Sequence, residues 1–69
     1  MTVAVSTTEA ITLRLSNTDG VRCAFLDVDR NGAMRRIVLD PYERKSIELA
    51  AGNALLIWSA NMKVEGLPK

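Results

Sequence analysis

Apolar and polar residues alternate with period two along most of this chain, and no long stretch holds apolar residues at i, i+3, i+4 and i+7. Strands are therefore predicted, and helices are not. Ile11, Leu13 and Leu15 alternate with Thr12, Arg14 and Ser16, the pattern of a strand with one buried and one wet face. Val3 and Val5 mark an earlier strand, or an arm over residues 1–9. Asn17-Thr18-Asp19-Gly20 supplies a turn, because Gly adopts positive φ and Asn and Asp bond their own backbone. A second clear strand is predicted from Val21 to about Val28, with Val21, Cys23 and Phe25 on one face and Ala24, Leu26 and Val28 on the other. Both faces being apolar, this is a central strand or an interface strand.

Asp29-Arg30-Asn31-Gly32 makes the next turn, with Gly32 where a short hairpin loop needs a left-handed residue. A third strand sets Arg35, Ile37 and Leu39 against Met34, Arg36 and Val38 and stops at Asp40-Pro41, since proline removes a ladder donor and restricts its predecessor. Asp40 to Gly52 reads two ways. Asp40, Pro41, Glu43 and Gly52 are helix punctuation, whereas Ile47 and Leu49 alternate with Lys45, Ser46 and Glu48 as a strand does. One turn followed by a strand is the favoured reading. Ala54 to Ser59 is a further strand apolar on both faces, where Leu55 and Ile57 compete with Leu56 and Trp58 for the inside. Met62 and Val64 suggest a last edge strand before a loose tail at 65–69.

These elements predict one all-β domain over residues 1–69, a small sandwich or partly open barrel of about five to seven short antiparallel strands. The 48% apolar and 25% charged composition is that of a globular chain rather than a disordered one. Nine basic against eight acidic residues leave a net charge of +1, which gathers neither nucleic acid nor anionic lipid from a distance. With no His and a single Cys, Cys23, the chain forms no internal disulfide and assembles none of the usual Cys/His zinc sites. The first six residues carry neither the cationic stretch nor the apolar segment of a signal peptide. The longest apolar run, Ala54 to Trp58, is five residues, against roughly 20 for a membrane span. A cytoplasmic location, or a particle assembled there, is the expectation.

The residues Asn17-Thr18, Phe25-Leu26-Asp27, Asp29 and Gly32, Leu39-Asp40-Pro41, Gly52 and Trp58 together resemble the β-domain of the von Hippel–Lindau type over residues 17–59. That resemblance implies a compact β-sandwich that binds protein and performs no chemistry of its own. Peptide reading in that family uses His, Ser and Tyr side chains, and this chain has no His. The architecture carries over, and no site residue does.

Asp27-Val28-Asp29-Arg30-Asn31-Gly32 matches the first half of an EF-hand calcium loop, in which alternate oxygen ligands and a glycine serve a hard cation. The twelfth position, where a bidentate Glu belongs, is Val38, and Arg30, Arg35 and Arg36 crowd the segment with positive charge. A hairpin turn accounts for the same residues, so no metal and no cofactor is expected. Cys23 lacks a His to activate it and reads as a small buried hydrophobe. Asp27 and Asp29 read as solvated turn carboxylates rather than an acid–base pair, and no enzymatic activity is expected. Arg35-Arg36 and Arg44-Lys45 are basic pairs on either side of one turn, yet the aromatics are only Phe25, Tyr42 and Trp58, and the two in strands belong to the core. Nucleic acid is disfavoured as a partner for want of a stacking platform.

What remains is size. A single core below about 70–80 residues seldom nets more than about 3–5 kcal/mol without a disulfide, a metal or another chain. Two strands apolar on both faces also present more apolar surface than one small sandwich covers. The leading expectation is a non-enzymatic structural subunit in a homo-oligomer or larger assembly, such as a virion decoration, head or tail component. Ala24, Leu26, Val28, Leu55 and Ile57 are its candidate interface. The alternatives are a small regulatory protein that inhibits one host protein and, third, a nucleic-acid-binding barrel.

Overall fold

The alternation folds into seven antiparallel strands in the computed structural model, which describes residues 1–68. These are β1 (Thr2–Thr7), β2 (Ile11–Asn17), β3 (Cys23–Asp29), β4 (Met34–Leu39), β5 (Arg44–Leu49), β6 (Gly52–Trp58) and β7 (Met62–Glu65). A four-stranded sheet runs in the order β1-β6-β3-β4 and a three-stranded sheet in the order β5-β2-β7. The result is a two-sheet sandwich rather than a partly open barrel, and residues 2–7 are a full sheet member rather than an arm.

Every strand contributes its inward parity to one core. Leu13 and Leu15 of β2, Phe25 of β3, Leu39 of β4 and Leu56 of β6 are fully buried, joined by Val5, Cys23, Leu49, Trp58 and Met62. Phe25 and Trp58 face each other across the β3/β6 ladder and stack with ring centroids 5.8 Å apart. That stack settles the parity of β6. The larger ring system goes inside, where it removes the most apolar area from water, so Leu56 and Trp58 point in and Leu55 and Ile57 point out.

Asn17 organises one end of the sandwich. Its buried side chain donates from Nδ2 to the carbonyls of Val21 (2.8 Å) and Asp40 (3.0 Å), while Oδ1 accepts from the Asp19 amide (3.0 Å). The predicted turn after β2 is thereby tied to the corner after β4. Because this amide claims the Val21 carbonyl, the third strand begins at Cys23, two residues later than the alternation suggests. Val21 lies in the turn, 64% exposed, and not on the inward face with Cys23 and Phe25.

The Asp40–Glu43 corner shows how helix punctuation serves a strand. Asp40 N donates to Glu43 Oε1 (2.8 Å), one of the two contacts of a capping box, and Glu43 N donates to the Asp40 backbone carbonyl (3.0 Å), which closes a single turn. Tyr42 sits at φ 60°, a left-handed conformation that no helix continues through, and Asn17 N donates to Glu43 O (2.9 Å), steering the chain into the ladder with β2. The favoured reading of one turn followed by a strand describes this segment. The tail is less loose than its composition suggests: Leu67 packs against the core, and Gly66 turns at φ 97° where a Cβ would lie 2.5 Å from the Thr12 carbonyl oxygen. Lys69, the last tail residue, falls outside the described residues.

Candidate interaction surface

The sandwich has two outer faces. Antiparallel register fixes which side chains are neighbours on each, because directly opposed residues share a face. On the four-stranded sheet, Leu55 lies opposite both Ala4 and Val28, and Val28 lies opposite Met34, giving an apolar row across all four strands. In the next row Ile57 stands between Thr2 and Leu26, and Leu26 opposes Arg36. Beyond them Ala24 opposes Val38. Ala24, Leu26, Val28, Leu55 and Ile57 thus form one contiguous patch in the middle of this face. Ala24, Leu26, Val28 and Ile57 are half-buried by their own neighbours, while Leu55 is exposed.

Sequence reasoning missed Ala4, Met34 and Val38, which extend the patch onto both flanking strands. The signal was present, since Met34 and Val38 share the outward parity of β4 and Ala4 that of β1. A shallow depression of about 480 Å³ runs over β6 beside Ala4, Val28 and Leu55. Arg36 lies in the patch opposite Leu26, and Asp29 and Arg30 line one end of the depression.

The outer face of the three-stranded sheet differs throughout. Arg14 lies between Ser46 and Glu65, and Ser16 between Arg44 and Lys63, with Thr12 opposite Glu48. Arg14 and Glu65 approach to 4.0 Å, both well exposed, a contact worth little in water. No apolar side chain interrupts this surface.

The chemistry-bearing residues are engaged elsewhere. Asp27 points inward, nearly buried, and its Oδ2 accepts from Arg35 Nε (3.1 Å) and Nη2 (2.8 Å). Arg35 Nη2 also donates to the Glu48 carbonyl (3.1 Å), bridging the two sheets along one side. Asp27 is therefore not the solvated turn carboxylate that the sequence suggests. Asp29 is one: its Oδ1 accepts from the amides of Asn31 (2.8 Å) and Ala33 (2.9 Å) around Gly32 at φ 83°. The half-motif of an EF-hand is divided between an inward ion pair and an outward turn, and no group of three His, Cys, Asp or Glu converges among the described residues.

Cys23 is buried and free, and its burial, with the negative charge of Asp19, pushes the thiol above its ordinary value. Arg35 and Arg36 project to opposite faces of β4, and Arg35 meets the far end of β5 from Arg44 and Lys45, so the two basic pairs do not merge. Phe25 and Trp58 are core, which leaves Tyr42 as the only exposed aromatic. No helix of the described residues is long and apolar enough to cross a membrane.

This is a small all-β sandwich whose distinguishing surface is an apolar sheet face. Comparison with protein-family models, curated proteins and solved structures finds no match to this chain.

Proposed function

We propose that the chain is a non-enzymatic, protein-binding structural subunit that joins a homo-oligomer or larger assembly through the outer face of the β1-β6-β3-β4 sheet. The observation that carries this reading is the continuity of Ala4, Leu55, Val28 and Met34 across all four strands, with Ile57 and Leu26 in the row beside them. A sheet face of an isolated domain is normally half polar, and contiguous exposed apolar patches mark contact surfaces. The energetics point the same way. At about 25 cal/mol per Å² of apolar area, covering a few of these side chains contributes several kcal/mol before association costs, comparable to the roughly 3–5 kcal/mol that a core of this size supplies alone. A cytoplasmic particle with many copies of one small subunit, such as a virion head, tail or decoration layer, is a setting in which such a protein works.

Light scattering on the purified protein across a concentration series tests the proposal. A defined self-associated species is expected, and Leu26→Lys is expected to reduce it to a smaller species that is still folded. A cooperatively folded monomer at high micromolar concentration would overturn self-assembly and favour the regulatory binder instead.

A further inference from the structure

Of the four strand edges that the two sheets leave unpaired, three carry charge: Arg35 and Arg36 on β4, Arg44, Lys45 and Glu48 on β5, and Lys63 and Glu65 on β7. Charged edge residues are the common means by which sheets resist adding a further strand. The remaining edge, β1, reads Thr-Val-Ala-Val-Ser-Thr, with no charge, no proline and no glycine. It pairs with β6 along its whole length on one side and, among the described residues, with no strand on the other.

The ladder shows which backbone groups this open side presents. Met1 N donates to Trp58 O (2.5 Å) and Trp58 N donates to Met1 O (3.0 Å), so Met1 and Trp58 form a hydrogen-bonded pair. Antiparallel ladders alternate such pairs with non-bonded ones, which gives Val3 and Val5 to β6. The N–H and C=O groups of Thr2, Ala4 and Ser6 then face away from it, toward open solvent.

From this edge we infer that β1 pairs antiparallel with β1 of a second copy of the chain, about a two-fold axis at Ala4. The inference rests on the assembly reading above and names its partner and its route. The strand is nearly self-complementary about that axis: Ala4 meets Ala4, Val3 meets Val5, and Thr2 meets Ser6, so small, aliphatic and hydroxyl side chains each find their like. No charge opposes a charge. A closed two-fold pairing is also the commonest way in which identical chains associate. It joins two four-stranded sheets into one continuous sheet in the order β4-β3-β6-β1-β1-β6-β3-β4. The row of Ala4, Leu55, Val28 and Met34 runs unbroken through both copies, so the pairing doubles the apolar face available to further partners.

Amide hydrogen exchange on the full chain tests this, with Ala4→Pro alongside. Proline is tolerated at edge positions whose N–H faces solvent, and its predecessor Val3 is already extended, so Ala4→Pro removes the outward donor and leaves the β6 ladder intact. In the native protein, the Thr2, Ala4 and Ser6 amides are expected to exchange at least tenfold more slowly at high than at low protein concentration. Ala4→Pro is expected to halve the assembled mass. If those amides exchange freely in a native oligomer that Leu26→Lys disrupts, the β1 pairing is wrong and the face reading survives. If the native protein is monomeric at high micromolar concentration, both are wrong. Should Ala4→Pro fail to fold, the native exchange pattern decides alone.

Discussion

The two outer faces of the sandwich are built on the same extended backbone, yet the outward positions of β1, β6, β3 and β4 are mostly apolar while those of β2, β5 and β7 are all polar or charged. The inner faces show no such difference. Leu13 and Leu15 from one sheet and Phe25 and Leu56 from the other are equally inaccessible. Folding needs only the inner parity, so the demands of a stable monomer do not explain the asymmetry outside. A three-stranded sheet whose outer face meets water carries polar residues; the outward Leu26, Leu55 and Ile57 of the four-stranded sheet are what the contact proposal accounts for.

Truncation inside and outside separates these roles. Leu13→Ala and Leu56→Ala, one beneath each face, should each lower unfolding free energy by about 2–5 kcal/mol in urea titration, because each empties a fully buried site. A large difference between the two would place the asymmetry in the core as well. Matched lysines outside give the next effect. Leu55→Lys should weaken assembly by roughly 100-fold, or about 2.7 kcal/mol, by sedimentation analysis, whereas Ser46→Lys should leave it within about threefold. Equal effects would break the comparison. Salt sharpens it further: an apolar contact should change affinity by less than about threefold between 0.05 and 0.5 M sodium chloride, while the opposite face, if it mediated assembly, would weaken steeply.

The smallest effect concerns Cys23, on the inner side of the apolar sheet. Its thiol is held above its ordinary value by burial and by Asp19, so the folded state keeps its proton longer than the unfolded chain does. Its contribution to stability is complete below the unfolded thiol value and is lost as pH rises toward the folded one. Alkylation by iodoacetamide near neutral pH should therefore be slower in the native protein than in the urea-unfolded chain, and equal rates would show an accessible thiol.

Much of this was legible in the sequence because period two is a strong signal wherever one face is wet. Ile11 to Ser16 is such a case, and the outward parity of Ala24, Leu26 and Val28 was readable from β3 alone. The sides of β6 were not, since Leu55, Leu56, Ile57 and Trp58 are all apolar and only the Phe25–Trp58 stack decides among them. Val21 misled because the Asn17 side chain captures its carbonyl from four residues away. Asp27 misled because its partner, Arg35, arrives on a different strand. A turn hydrogen bond in the first case and a cross-strand ion pair in the second override the alternation.

The pairing of β1 with β6 sets Thr2 opposite Ile57, near the other end of the chain. During synthesis at roughly 5–20 residues per second, β1 therefore waits several seconds for its own neighbour to be made. Until then no neighbouring strand of its own sheet is available to β1. The β1–β6 ladder is thus one of the last parts of the fold that synthesis makes available.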